Sequence, residues 1–398
     1  MSEEKTIWSV GGGKGGVGKS IATANIGCAL AKRGKKVILV DADLGGANLH
    51  TYFGIKYPRQ GLDDFLKGRA PTLDETAIDT PVENLRLISG AGEFLGIANP
   101  AYGQKQKLIS HIRQLKADYI LVDLGAGSTF NILDFFAVSN EGIVVLVPEP
   151  AAIQNAYIFL KSFVYRRLSR LFSGNEHISG MIKDSTDSKS QNSAKTFSDL
   201  CERIASEDKE AAKEAVTEIK SFRPKLLLNM AASRDDLRVV DAFKSASNTF
   251  LSLETEFLGV LYSRPAIKAA ARKMRPFMLD EAAIDAHRDM DGIITKLLGA
   301  APLQAEAHEE GGEHEVFGFN DNVNHSGVIY HVQTEVQAGA NPSIETIIYH
   351  GGRIFFSKKS LWREISKDNG NLNIKDFATR QHRAAMAAIK MDKITLQG

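Results

Sequence analysis

The chain has 398 residues, of which 43% are hydrophobic and 24% charged, and this length predicts two domains. Lys plus Arg (49) nearly balance Asp plus Glu (48), so the formal net charge of +1 creates no global field for nucleic acid or anionic lipid. We therefore predict no sequence-specific nucleic-acid binding. The two cysteines, Cys28 and Cys201, form no CxxC pair, which argues against a disulfide scaffold, a zinc ribbon or a thioredoxin site.

The sequence shows no pattern typical of a signal peptide or of a membrane-spanning helix. The first residues contain no basic region followed by an apolar run, and no stretch reaches the roughly 18 consecutive apolar residues that span a bilayer. We expect a cytoplasmic protein.

The first 150 residues alternate short apolar runs with helical periodicity. The runs are continuous rather than alternating, which is typical of strands covered on both faces. The pattern predicts an α/β fold with a doubly wound, mostly parallel sheet. The predicted strands are 6–10, 37–41, 85–89, 119–123 and 142–148, and the first is followed by a helix over 21–33.

The same domain is predicted to extend to residue 300, with an insertion at about 170–222. The insertion is polar, and we expect a mobile stretch followed by one charged helix. After it come two predicted strands, at 225–230 and 255–261, and two predicted helices, at 265–274 and 282–298.

Residues 301–325 are rich in Glu, His and Gly and predict an acidic linker. Beyond the linker, residues 326–398 predict a small α+β domain of unknown role. Its strands are expected at 327–336, 344–350 and 353–358, with a hairpin turn between the last two and a helix at about 374–394.

A phosphate-binding loop stands between the first strand and the first helix. Its residues are Gly13, Lys14, Gly15, Gly16, Val17, Gly18, Lys19 and Ser20, and they match GxxxxGK[ST]. Glycines let the backbone N–H groups face a polyphosphate, and the N-terminus of the helix adds a favourable dipole. We expect Lys19 to reach the β- and γ-phosphates of ATP and the Ser20 hydroxyl to bind Mg²⁺.

Carboxylates stand at the ends of two further strands. Asp41 and Asp43 end the second strand, and Asp123 ends the fourth. Carboxylates spaced at i and i+2 can serve one metal ion and one attacking water. The alternative is a pair of capping or solvated aspartates.

The early lysine of the loop, Lys14 in KGGVGKS, makes this segment resemble the deviant Walker A box of the MinD/ParA family of ATPases. The resemblance covers about residues 6–300 outside the insertion. DADLGGAN from Asp41, DLGAG from Asp123 and Glu149-Pro150 resemble most the MinD-like regulators of flagellar number.

The resemblance implies roles for these residues. Lys14 would reach across an ATP-dependent homodimer to the partner's phosphates, and Asp43 would position the hydrolytic water. Asp41 and Asp123 would belong to the Mg²⁺ shell, the latter through water.

The resemblance also implies a base contact. Asn229, at the end of a strand, stands where the family contacts adenine, and its alternative role is a structural hydrogen bond at the strand end. Ile21 belongs to the nucleotide-binding segment but follows Ser20 where threonine is frequent in the family. His50 and Asn155 stand where aspartates are common.

The predicted function is a Mg²⁺-dependent ATPase switch, slow without a partner, whose dimer controls the placement or number of a cellular assembly of flagellar, division or partition type. The protein partner is unknown. One alternative is a nucleotide-occupied scaffold whose C-terminal domain recognises a partner. A weaker alternative is a metabolic enzyme that uses ATP to activate a small molecule.

Two surface features have two interpretations each. The C-terminal helix carries basic residues beside Phe377, Met386 and Ile389, so it either touches the inner face of the plasma membrane or packs against the small sheet. Three arginines at 166, 167 and 170 either contact acidic partners or form a solvated helix face.

Overall fold

The computed structural model divides the chain into two compact units, Met1–Gln304 and Ala305–Gly398. The structure describes residues 5–90, 100, 102–186, 194–299, 318–325, 328–337, 343–350, 353–361 and 374–391. Among these residues, none of the helices is both long and apolar enough to cross a bilayer.

The first unit contains one eight-stranded sheet. Its strands are β1 (Thr6–Gly11), β2 (Val37–Ala42), β3 (Ile78–Asp79), β4 (Leu85–Ile88), β5 (Tyr119–Leu124), β6 (Ile143–Leu146), β7 (Lys225–Ala231) and β8 (Glu256–Tyr262). Their order is β3-β4-β2-β5-β1-β6-β7-β8. All neighbours are parallel except β3, which pairs antiparallel with β4. The expected doubly wound sheet is confirmed.

Helices cover both faces of this sheet. They are α1 (Lys19–Ala31), α2 (Leu62–Leu66), α3 (Tyr102–Ile112), α4 (Phe130–Phe136), α5 (Pro150–Leu171), α6 (Glu176–Thr186), α7 (Phe197–Glu207), α8 (Lys209–Lys220), α9 (Arg238–Leu251), α10 (Pro265–Arg272) and α11 (Ile284–Leu297). In β2, Ile38 and Val40 face one apolar core, whereas Val37 and Leu39 face the other. This is why the strand is a continuous apolar run.

The predicted insertion at 170–222 is wrong in its detail. The start of that range still belongs to α5, and the range then forms three helices, α6, α7 and α8, instead of one. Their apolar residues recur at helical spacing and are buried in the core: Ile178 and Ile182, Leu200 and Ile204, Ala215 and Ile219. The central part of the expected mobile stretch, 187–193, lies outside the described residues.

The second unit is a four-stranded antiparallel sheet with one helix. Its elements are β9 (Gly318–His325), β10 (Val328–Gln337), β11 (Ser343–His350), β12 (Arg353–Leu361) and α12 (Ile374–Lys390). The order is β12-β11-β10-β9, and every neighbouring pair is antiparallel. β12 turns back on β11 with His350 opposite Arg353, as a hairpin requires.

Part of the predicted linker 301–325 is instead a strand. β9 pairs along β10, and its alternate residues Phe319 and Val323 belong to the small apolar clusters of this unit. Residues 300–317 lie outside the described residues.

The apolar residues of α12 face the sheet. Ile374, Ala378 and Ile389 are buried, and Phe377 and Met386 pack against the same clusters. These side chains therefore contribute to the core of the second unit, which favours the packing interpretation of this helix over lipid contact.

Candidate functional site

The phosphate loop connects β1 to α1 and closes a tight turn in front of the helix. Gly16 and Gly18 have φ angles of 80° and 88°, in the left-handed region that favours glycine. A Cβ atom on Gly18 would lie 2.1 Å from the Asn229 amide nitrogen, and one on Gly13 would lie 2.0 Å from the Asn155 carbonyl oxygen. The loop is thus held between the end of β7 and the start of α5, and side chains at these positions would displace it.

Lys14, the early lysine of the loop, points to a carboxylate of its own chain. Its Nζ atom lies 2.9 Å from Oε2 of Glu149, the N-cap residue of α5. The two side chains are 40% and 63% exposed. An ion pair this exposed contributes at most about 1 kcal/mol, so Lys14 is available to another anion at little cost.

Lys19 is the most deeply buried cation of the loop. The residue is 8% exposed, and its Nζ atom donates one long hydrogen bond of 3.5 Å to the Lys14 carbonyl oxygen. Burial lowers the pKa of Lys19, while the charges of Asp123 and Asp43 oppose this effect. A buried ammonium with so weak a partner is well placed to bind an anion such as a phosphate.

Two buried carboxylates face each other at the ends of neighbouring strands. Asp41 on β2 pairs in register with Asp123 on β5, and both are 1% exposed. Burial, and next the charge of Asp123, raise the pKa of Asp41, although backbone N–H groups of Leu49 and Asp43 donate to it at 2.9 and 3.2 Å. Burial likewise raises the pKa of Asp123. The pair is therefore short of positive charge.

The oxygen atoms around Asp123 fit a magnesium ion. Its Oδ1 atom accepts a hydrogen bond of 3.0 Å from the Thr23 hydroxyl, and the Ser20 hydroxyl also donates to the carboxylate. Carboxylates and hydroxyls are the ligands that Mg²⁺ prefers, and a divalent cation would relieve the repulsion between Asp41 and Asp123. Among the described residues no group of three or more His, Cys, Asp or Glu side chains forms a metal cage. Magnesium sites completed by substrate phosphates need only one or two carboxylates.

Asp43 lies beside the segment that follows β5. The residue is half-buried, and a Cβ atom on Gly125 would stand 2.8 Å from its Oδ1 atom. Glycine at 125 therefore leaves space for the carboxylate. An open cleft of about 390 Å³, lined by Asp43, Gly125, Ala126 and Thr129 among others, adjoins it. The structure thus brings Asp43 to the same end of the sheet as Lys19 and Asp123.

Asn229 is engaged in a structural hydrogen bond. It is 5% exposed, and its Nδ2 atom donates to the Val17 carbonyl oxygen at 2.8 Å. It therefore supports the phosphate loop, and the adenine contact stays a prediction. Ile21 is half-buried against the core that contains α1.

Three neighbours of the site were not assigned roles from the sequence. Thr23 donates to Asp123, Glu149 accepts from Lys14, and the Asn155 backbone packs on Gly13. A signal exists only for Thr23, which follows Ser20 by three positions and so lies on the same face of α1. The other two are distant in sequence from the loop.

The sequence profile of the CobQ/CobB/MinD/ParA nucleotide-binding domain matches residues 8–278, more than half of the chain. The chain belongs to this family. The resemblance to the MinD/ParA family is confirmed, and the β1–α1 loop lies within the matched residues.

Three curated proteins of different named roles are similar to this chain. It is 37% identical over 145 residues to septum site-determining protein MinD of Synechocystis, covering 36% of this chain and 54% of that protein. It is 32% identical over 157 residues to antiactivator FleN of Pseudomonas aeruginosa, covering 39% and 55%. It is 37% identical over 159 residues to flagellum site-determining protein YlxH of Helicobacter pylori, covering 37% and 50%. The chain spans about half the length of the curated relatives it matches.

Solved structures agree with the fold. The cell division ATPase MinD of Pyrococcus furiosus superposes with a TM-score of 0.52 at 21% identity, covering 75% of this chain and 100% of that one. MinD of Pyrococcus horikoshii, complexed with Mg-ADP, gives a TM-score of 0.50 at 20% identity, covering 74% and 96%. At this identity the likeness demonstrates the α/β architecture.

Proposed function

We propose that this chain is a Mg²⁺-dependent ATPase switch, in which ATP supports a homodimer that controls the placement or number of a cellular assembly. The observation that carries the proposal is the convergence of Lys19, Asp43 and Asp123 at one end of the sheet, against the phosphate loop. The roles for which these relatives are named, septum and flagellum site determination and antiactivation, support the second half of the proposal.

Each residue has a task that follows from its surroundings. Lys19 has a buried positive charge with one long hydrogen bond, so it binds the ATP phosphates. Ser20, Asp41 and Asp123 hold the magnesium ion, which when bound neutralises phosphate charge. Asp43 is only half-buried and orients the water that attacks the γ-phosphate.

Lys14 connects the site to a second copy of the chain. In the single chain it is paired with Glu149, and that pair is exposed. We propose that in the ATP state Lys14 exchanges Glu149 for the phosphates of the partner's nucleotide. An exposed ion pair costs little to break, so this exchange is energetically accessible.

The proposal is tested first by ATP turnover. Asp43→Ala is expected to lower turnover by at least about a hundredfold, because a missing water-positioning group typically costs that much, while ATP binding is retained. Chelation of Mg²⁺ by EDTA is expected to abolish turnover of the unaltered protein. Asp235→Ala is the matched control, since Asp235 is 82% exposed in an ion pair with Arg238.

Turnover that is unchanged in Asp43→Ala, or that continues in EDTA, would refute the assigned chemistry. Retained partner binding by Asp43→Ala in every nucleotide state would instead support a scaffold that recognises its partner without using the switch.

A further inference from the structure

The three arginines near the end of α5 form an ion-pair network. Asp134 on α4 is fully buried, and Arg166 donates to it twice, from Nε at 2.9 Å and from Nη2 at 3.0 Å. Lys105 lies 2.5 Å from the same carboxylate, and Arg170 lies 3.5 Å from it. The solvated-face interpretation of these arginines is therefore incomplete, because Arg166 and Arg170 contact a buried anion.

The network has more positive than negative charge. Burial alone would raise the pKa of Asp134, but hydrogen bonds from Arg166 and Lys105 and the charge of Arg170 outweigh it and lower the pKa. Asp134 is thus ionised and faces three cations. Arg167 pairs with Glu218 at 2.6 Å. Four cations stand against two carboxylates.

A cleft of about 300 Å³ opens within this cluster. Its apolar lining comes from the partly exposed Ala137 and Leu171 and the buried Leu133 and Phe163, and the three arginines and Glu218 complete it. We call it the arginine cleft.

An exposed aromatic ring belongs to the same surface. Phe130, at the start of α4, is 67% exposed, and the Arg166 guanidinium carbon lies 4.5 Å from the centre of its ring. Arginines and aromatic rings are enriched in protein interfaces, and here the two lie in contact beside the cleft.

We propose that the arginine cleft docks an acidic amphipathic segment of a partner protein. An apolar side chain of the segment enters the cleft, and a neighbouring carboxylate binds Arg170. Arg170 is 35% exposed, and its contact with Asp134 is long, at 3.5 Å. Its guanidinium therefore keeps N–H donors for a second carboxylate. Arg166 contributes less, because its two hydrogen bonds to Asp134 already engage it.

The shape of the site favours a peptide over other anionic partners. A phosphate backbone offers no apolar group for the partly exposed Ala137 and Leu171 of the lining, and a bilayer surface does not fill a concave cleft. An amphipathic segment supplies both an apolar side chain and carboxylates.

The cleft adjoins the part of the chain that follows the nucleotide site. α4 begins at Phe130, three residues after Gly127 in the segment beside Asp43. A docked partner peptide would touch α4, the helix that follows the residues beside Asp43. The docking itself assumes nothing about ATP turnover, and its test is done without nucleotide.

The test uses the full chain and a fluorescent synthetic helix with leucines on one face and glutamates on the other. Its binding is followed by fluorescence anisotropy. Arg170→Gln removes the positive charge of the guanidinium and puts a neutral amide beside Asp134. We expect it to weaken peptide binding about tenfold, which is the effect of losing one charge-assisted hydrogen bond. Phe130→Ala, at an exposed position, is expected to give a smaller loss. Arg238→Gln is the matched control, because Arg238 is 85% exposed on α9.

Several outcomes overturn the proposal. One is the absence of saturable peptide binding up to the solubility limit of the peptide. Another is equal binding of a peptide with glutamines in place of glutamates, or by Arg170→Gln. A third is Arg170-dependent binding of phosphatidylglycerol vesicles or duplex DNA in place of the peptide, which would assign the surface to a membrane or a nucleic acid.

Discussion

The two units bury polar side chains in opposite ways. In the second unit, the buried Thr334 hydroxyl lies 2.8 Å from that of Thr346 and 2.9 Å from Nδ1 of His382. The other ring nitrogen of His382 lies 3.0 Å from Asp321, and Gln381 donates to Thr346 at 3.0 Å. Each of these groups has a partner within the unit, so the network holds α12 on the sheet.

The first unit leaves its buried charges poorly compensated at one place. Within the part of the chain that the structure describes, Lys19 has one long hydrogen bond, and Asp41 and Asp123 lie opposite each other with raised pKa values. Buried charge of this kind is unfavourable unless a ligand completes it, whereas a satisfied network stabilises the fold. The comparison teaches that buried charge that is poorly compensated marks a candidate ligand site, whereas buried neutral groups whose hydrogen bonds are satisfied mark structural contacts.

The largest effect is expected from Lys19→Ala. Because this cation has so little to bind within the protein, its removal should cost the fold little but weaken ATP binding at least about a hundredfold, measured by titration calorimetry. Lys213→Ala is the control, since Lys213 is 72% exposed. Unchanged ATP affinity would mean that the buried ammonium serves the fold instead.

His382→Ala should act in the opposite way. It leaves the buried Thr334 hydroxyl without one of its partners, which is expected to cost about 1–3 kcal/mol of stability in the second unit. Hydrogen exchange in β10 and α12 would report this loss, while ATP affinity stays the same. A loss of ATP affinity with normal exchange in these elements would break the comparison.

Asp41→Asn tests the repulsion between the buried carboxylates of Asp41 and Asp123, measured in the protein without nucleotide or metal. The raised pKa of Asp41 means that the folded state binds its proton more tightly than the unfolded state, so wild-type stability falls as pH rises from the ordinary carboxyl pKa of 3.8 to the folded pKa of about 8. Near neutral pH the wild-type Asp41 carboxyl is charged in the unfolded chain and must take up a proton on folding, whereas asparagine does not titrate, so the variant should be more stable there by about 1 kcal/mol. Urea unfolding at several pH values measures the difference. A variant that is less stable than wild type near neutral pH would show that the carboxylate is well compensated.

The smallest effect is expected from Arg238→Ala. Its pair with Asp235 is exposed at 85% and 82%, so its removal should change stability by less than about 0.5 kcal/mol. A larger change in the urea midpoint would mean that exposed pairs matter here as much as buried networks.

The sequence predicted the first unit well because its signals are local. Continuous apolar runs mark the buried strands, and Lys19, Asp41 and Asp123 follow strands whose carboxyl ends must meet at one edge of a parallel sheet. The two-residue strand β3 has no such run and was missed.

The remaining features depend on contacts between distant residues. Lys14 and Glu149 are separated by 135 positions, and Arg166 and Asp134 by 32, so no spacing rule predicts either pair. β9 was taken for linker because its sequence, GFNDNVNH, has only two large apolar residues, and the pairing with β10 determines its conformation.

The most direct test of the switch is the mass of Asp43→Ala in solution, measured by light scattering with Mg²⁺ and either ADP or ATP. We predict a monomer with ADP and a dimer with ATP, and we predict that adding Lys14→Ala keeps the protein monomeric in both. The same mass with both nucleotides would contradict the ATP-dependent dimer, and a dimer that persists without Lys14 would contradict the role of this lysine.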